Sequence, residues 1–255
     1  MPPAPAYNWT GFYVGGNIGY GWGHASTDFA FAQDNTGGQF DTLNANDSNR
    51  LNGVIGGVQA GYNWQMGMFV YGIEADWQTT SQRGSDTFAS SIFVPDLGFN
   101  GNSGSNPVTI SSSEELQWFG TVRGHVGTPI ADHFLIYATG GLAYGKIDLN
   151  GSVTPGNPDP VIQNNHPAVW YDSTIKVGWT IGAGLEGQIS GNWTWKFEYL
   201  YLDLGKVTAN AALPAGNCYG TGGVCNGPLP NAGGGTVSSR ITDNIPRVGL
   251  NYQFH

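Results

Sequence analysis

Eight segments of alternating apolar and polar residues, aromatic bands at both ends of those segments, and the absence of any apolar run of about 18 residues predict one fold class. That class is all-β: an eight-stranded antiparallel transmembrane β-barrel with short turns at one end and four long loops at the other. Composition points the same way. The chain has 255 residues, 41 of them glycine, with 13 % aromatic and only 11 % charged residues, against roughly 25 % charged in soluble domains. With a helical span excluded, a closed barrel is the remaining way to satisfy a backbone that crosses a bilayer. The net charge of −9 excludes a nucleic-acid partner, which would need clustered Lys and Arg.

Alternation is clearest from Ile175 to Ile189, where Ile175, Val177, Trp179, Ile181, Ala183 and Leu185 share one face. Lys176, Thr180, Glu186 and Gln188 share the other. Comparable segments run from Phe12 to Trp22, Val54 to Gln65, Phe69 to Thr79, Leu116 to Gly127, Phe134 to Lys146, Trp193 to Leu204 and Ile241 to Phe254. Brief turns fall at Met66-Gly67, Pro129 to His133 and Ser190-Gly191-Asn192. The other connections, Gly23 to Asn52, Thr80 to Ser113, Asp148 to Asp172 and Gly205 to Arg240, are long, polar and rich in Gly, Asn, Ser, Asp and Pro. They read as extracellular loops, and the short turns as periplasmic.

Alternation alone does not separate a membrane barrel from a soluble one; the aromatic positions do. Trp9, Phe12, Tyr62, Trp64, Phe69, Trp193, Trp195, Tyr252 and Phe254 fall near the short-turn rim, and Tyr20, Trp22, Trp77, Trp118, Tyr144, Trp179, Tyr199 and Tyr201 near the other. Two such bands around an aliphatic belt are the interfacial girdles of a transmembrane barrel. A soluble barrel would fold without detergent and show no heat-dependent gel shift. The domain layout expected is a Pro-rich periplasmic arm over residues 1–8 and a single barrel over 9–255. The opening Met1-Pro2-Pro3-Ala4-Pro5-Ala6 lacks the basic and apolar regions of a signal peptide. Met1 therefore reads as a start added to a mature, exported sequence, and His255 as an addition after the aromatic terminus.

The segment Asn8-Trp9-Thr10-Gly11-Phe12-Tyr13-Val14-Gly15-Gly16-Asn17-Ile18-Gly19-Tyr20-Gly21-Trp22 resembles the opening strand of the small alphaproteobacterial outer-membrane immunogenic proteins, also called porin-family β-barrels. The likeness continues at Tyr71-Gly72-Ile73-Glu74-Ala75-Asp76, Trp118-Phe119-Gly120-Thr121-Val122-Arg123-Gly124, Glu198-Tyr199-Leu200-Tyr201-Leu202-Asp203 and Arg247-Val248-Gly249-Leu250-Asn251-Tyr252-Gln253-Phe254. It covers most strands and almost none of the loops. The resemblance implies a bacterial outer-membrane location and a surface antigen, envelope-stabilising protein or porin. It also implies that the aromatic C-terminal strand is read by the outer-membrane assembly machinery.

On the inward face, Glu74, Asp76, Glu186 and Glu198 meet Arg123, Lys176, Lys196 and Arg247, with His125 beside them. Four acids balance four bases, so the −9 resides in loops and strand ends. Glu186 and Lys196 flank the Gly191 hairpin symmetrically and should face each other; Glu198 and Arg247 lie on neighbouring strands, and Glu74 and Asp76 should reach Arg123. Charged rings can set ion selectivity, but an eight-stranded barrel is only wide enough for its own side chains, and buried charges persist when paired. A plug is the favoured expectation and a narrow channel the alternative.

Catalysis is not expected. There is no Gly-x-Ser-x-Gly elbow, the Gly-x-Gly strings sit within strands rather than opening a helix, and His125 reads as one more member of the polar network. No metal site and no cofactor are expected: Asp28, Asp34, Asp41, Asp47, Asp86, Asp96, Asp159 and Asp172 are scattered without calcium-loop spacing. Cys218 and Cys225 are the only cysteines, and in an exported chain a disulfide is expected between them. The expected role is a structural and surface-interaction protein of the envelope. Expected partners are outer-membrane lipids and lipopolysaccharide, the assembly machinery through the last strand, and peptidoglycan or other envelope proteins through the arm.

Overall fold

The computed structural model describes residues 7–35, 39–94, 104–130, 133–155, 168–212 and 234–254. They form eight strands: β1 (Gly11–Asn35), β2 (Gln39–Met66), β3 (Phe69–Val94), β4 (Gly104–Ile130), β5 (Phe134–Pro155), β6 (Ala168–Ser190), β7 (Trp193–Ala212) and β8 (Gly234–Phe254). Each pairs antiparallel with the next, and β8 returns to β1 with Phe254 opposite Phe12, closing the barrel. Closure leaves no sheet edge to be satisfied in lipid. At two periplasmic turns a left-handed residue is required, and glycine supplies it: Gly67 at φ 62° and Gly191 at φ 54°.

The strands run well beyond the ends expected from alternation. β1 and β2 stay paired from Gly11–Asn63 up to Asn35–Gln39, so most of the expected loop between them is ladder. The same holds for β3–β4, and the upper parts of β4 and β5 also stay paired, up to Val108–Pro155. Many of the apolar residues that look sparse in those segments reach the inside: Phe29, Leu51, Ile110, Leu149, Val153, Trp170, Val207 and Val237 are buried. Burying them gives the polar extensions a core of their own.

The pairing changes character at the outer aromatic band. Register shifts occur between Thr79 and Gln82 on β3, Leu116 and Trp118 on β4, and Asp203 and Gly205 on β7. On β4 and β7 the extra residue resets which parity faces inward: Leu116 and Phe119 both point inside, as do Leu204 and Val207. Between β6 and β7 the ladder lapses from Val169–Ala212 down to Trp179–Asp203. On the outer surface Phe12, Tyr20, Trp22, Trp64, Phe69, Trp77, Trp179, Trp193, Tyr199 and Phe254 are exposed, as lipid-facing rings must be.

Trp9 does not belong to that surface. It is 1 % exposed and sits in the periplasmic mouth with Tyr7, Val70, Leu135 and Tyr137. Its height is that of the lower girdle, but it shares the parity of Tyr13, which points inward, rather than that of Phe12. Tyr7 and Trp9 stack edge to face at 4.8 Å. Gln253 accepts from the Tyr7 hydroxyl at 2.7 Å and donates to the Trp9 carbonyl at 2.8 Å, while Gln65 accepts from the Trp9 amide at 2.9 Å. Met1, His255, Cys218 and Cys225 lie outside the described residues.

Candidate functional site

The interior is layered. Above the Trp9 stopper lies a charged layer built from β3, β4, β7 and β8. Arg123 on β4 is paired in register with Glu74 on β3 and bonds it directly; the same guanidinium reaches Asp76 at 2.9 Å and Glu198 at 3.0 Å. Arg247 on β8 meets Glu198, its register partner on β7, at 2.5 Å and Asp76 at 2.9 Å. Lys196 on β7 places its ammonium 2.6 Å from Glu74 and 3.5 Å from Glu198. In an eight-membered ring β3 and β7 are diametrically opposite, so the Lys196–Glu74 bond spans the lumen. Every one of these charges is almost fully buried, and each has a partner of opposite sign within the layer, which is the condition for retaining it.

Two expected members of the layer make other contacts. Glu186 does face Lys196 in register, but the lysine is long enough to reach across to Glu74. Glu186 instead accepts from Thr194 at 2.6 Å and Asn251 at 3.1 Å. Lys176 shares the inward parity but does not join the layer: it is only half-buried, lies beside the β6–β7 interruption, and makes no ion pair among the described residues. The layer therefore holds four acids and three bases. His125 sits at its lower edge, with Nε2 2.9 Å from Asn63 Oδ1 and its ring 5.3 Å from Tyr137.

Two members went unnoticed in the sequence. Tyr13 donates its hydroxyl to Glu74 at 2.6 Å, and Tyr137 donates to Glu198 at 2.8 Å. Alternation would have found them, since each follows an outward aromatic at odd spacing: Phe12 before Tyr13, Phe134 before Tyr137. The room for them comes from the neighbouring strands, where a Cβ at Gly61 would collide with the Tyr13 hydroxyl and one at Gly184 with the Tyr137 ring. Gln78, fully buried at the top of the layer, has neither amide atom hydrogen-bonded.

Higher up, beyond the outer aromatic band, the interior turns apolar. Phe29, Leu51, Ile55, Ile110, Leu116, Phe119, Ile147, Leu149, Leu202, Val207 and Ile241 form one buried cluster. Phe29 of β1 meets Trp170 of β6 at 5.8 Å, again across the lumen. Within this cap Glu114 is buried and accepts from Thr27 at 3.1 Å and Asn49 at 2.8 Å. Burial with no cation beside it pushes the Glu114 carboxyl above its ordinary range. Burial also raises Asp47, and the nearby Asp86 adds to the effect. Among the described residues no group of three His, Cys, Asp or Glu side chains is arranged to hold a metal ion.

A ring of eight antiparallel strands, a lipid-facing apolar belt between aromatic bands, and side chains that meet across the lumen define a transmembrane β-barrel. The chain belongs to the outer membrane protein beta-barrel domain family, whose model matches residues 1–254. It is 34 % identical over 257 residues to the 31 kDa outer-membrane immunogenic protein of Brucella melitensis, covering 99 % of this chain and 86 % of that protein. It is 29 % identical over 202 residues to the 22 kDa outer membrane protein of Rhizobium leguminosarum, covering 79 % of this chain and 67 % of that one. Among solved structures it aligns with OprG from Pseudomonas aeruginosa at a TM-score of 0.42 and 10 % identity, covering 99 % of this chain and 100 % of that one. The protein is a β-barrel of the bacterial outer membrane.

Proposed function

We propose that this barrel is a non-catalytic structural and surface-interacting protein of the outer membrane, with a lumen sealed by its own side chains. The observation that carries this reading is the bond between Lys196 and Glu74, on diametrically opposite strands, at 2.6 Å. A solute would have to break it together with the pairs of Arg123 and Arg247. The Trp9 stopper below and the apolar cap above support the same reading, because each would have to be displaced as well. The relatives are named for their location and immunogenicity and not for a reaction. On this reading the extracellular end is the working surface, the last strand is the recognition element for assembly, and the residues before Tyr7, which itself is held in the barrel mouth, are a short periplasmic arm toward peptidoglycan.

The test is purified full-length protein in a planar bilayer. A sealed lumen gives no resolved conductance steps, and Arg123→Ala changes this only by destabilising the barrel. Reproducible steps in the unaltered protein, with an amplitude that changes in Arg123→Ala or Glu74→Ala, would replace the sealed lumen with a narrow charged channel.

A further inference from the structure

The outward face carries a second charge pattern, which the luminal layer does not use. Between the two aromatic bands no described Asp, Glu, Lys or Arg points toward lipid. The chain has nine Lys and Arg. Arg123, Lys196 and Arg247 are in the luminal layer and Lys176 faces inward; the others, Arg50, Arg83, Lys146, Lys206 and Arg240, all lie on the outward face at or just above the outer aromatic band. None is at the periplasmic rim. In a chain of net charge −9, confinement of the surface cations to one height calls for a partner at that height.

The collar has two unequal halves. Lys206 and Arg240 face each other across β7–β8 and are answered by Asp28 at 3.6 Å and Asp203 at 2.6 Å. On the other side His24 faces Arg50 across β1–β2 and Arg83 faces Asn52 across β2–β3. Here Arg83 alone has an acid, Glu115 at 3.0 Å, and its side chain is still 72 % exposed. Arg50 makes no ion pair among the described residues. This β1–β3 patch thus has an unanswered guanidinium, a second exposed one and an imidazole directly above Trp22.

The wall beneath that patch is also distinctive. Below Tyr20 and Trp22 the lipid face of β1 and β2 runs through Ile18, Gly16, Val54, Gly56 and Val58. Side chains added at Gly16 or Gly56 would meet no atom closer than a backbone oxygen at 3.7 Å. The two glycines, each beside an exposed aliphatic (Gly56 opposite Ile18, Gly16 opposite Val58), form a shallow apolar trough in line with the cations above.

We propose that the His24–Arg50–Arg83 patch binds the phosphate groups of a phosphorylated outer-leaflet glycolipid, with an acyl chain of the same molecule lying in the Gly16–Gly56 trough. Guanidinium groups pair with phosphate through two parallel hydrogen bonds, and cations clustered at a membrane surface select anionic headgroups. The trough directly below selects a lipid over a free anion. This site rests on the outer-membrane location and is independent of whether the lumen conducts.

The experiment uses the full chain refolded in detergent, with native mass spectrometry reading retention of bisphosphorylated lipid A, dephosphorylated lipid A, or inorganic phosphate. The expected result is retention of the bisphosphorylated lipid, lowered about tenfold by R50Q/R83Q and less than twofold by K206Q/R240Q, whose charges are already paired. Gly16→Leu should weaken binding of the lipid while leaving its preference for the phosphorylated form. The heat-dependent gel shift confirms that each variant is folded, and R50K/R83K should recover part of the retention. Equal retention of the dephosphorylated lipid, or no loss in R50Q/R83Q, overturns the proposal. Occupancy by inorganic phosphate as tight as by the lipid overturns it in favour of a free-anion site.

Discussion

Below the outer aromatic band the lumen is filled by charges, and above it by hydrocarbon. The two halves solve the same packing problem with opposite chemistry because their surroundings differ. Within the membrane the apolar side chains are needed on the outside, facing lipid, so the inward parity is left to polar groups that must satisfy one another: Glu74, Asp76 and Glu198 with Arg123, Lys196 and Arg247. Above the membrane the outer face meets water and takes Asn, Ser, Thr and Asp. The inward face is then free to be an ordinary hydrophobic core, from Phe29 to Ile241. The lower layer is specific in its pairing and fragile to single changes. The upper one is additive.

Arg123→Met tests that difference most severely. It leaves three buried acids short of a partner and should cost about 3–5 kcal/mol of unfolding free energy, read by urea titration in lipid vesicles. A loss below about 1 kcal/mol would mean that the layer repacks as tolerantly as a hydrophobic core. Leu116→Ala in the cap should cost somewhat less, about 3 kcal/mol. The damage should also be confined: protease added from the extracellular side should cut within β3–β5 above Trp118 while the membrane part keeps its heat-dependent gel shift.

Gln78 stands at the boundary of the two layers and is satisfied by neither. Gln78→Met, close to it in volume, should stabilise by about 1 kcal/mol, since it removes a buried polar group without a partner; destabilisation in the same titration would show that the amide is in fact engaged. The smallest effect concerns Glu114, whose protonated form is favoured in the folded cap. Between the ordinary glutamate value of 4.5 and its raised value, the folded state binds more protons than the unfolded one, so stability of the cap falls as pH rises through that window. Glu114→Gln should flatten this slope and be neutral or slightly stabilising at pH 7, with protease protection as a function of pH as the measurement.

Much of this was legible in the residues. Ile175 to Ile189 alternates without a break, so its lipid and lumen faces could be assigned by counting, and the charged layer followed from inward parity at Glu74, Asp76, Arg123, Glu186, Lys196, Glu198 and Arg247. Trp9 has the height of the lower girdle but the inward parity of Tyr13, so height alone puts it on the wrong face. Lys176 has the inward parity of the layer but not its height, and parity gives only a face. The pairing of Lys196 with Glu74 instead of Glu186 depends on reach across the lumen, which spacing along one hairpin does not contain.

The sequence by itself determined a closed eight-stranded barrel, its lipid belt and the residues that face its lumen, because period-two alternation and interfacial aromatics are local patterns that survive any arrangement of neighbours. Only the tertiary structure decided that the four polar connections continue as strands around a core. The apolar residues there, such as Leu51, Ile110, Leu149 and Val237, are separated by polar ones and by bulges at Leu116/Trp118 and Asp203/Gly205 that reset the parity. Their shared face therefore exists only once eight strands are placed side by side and water is excluded from the space between them.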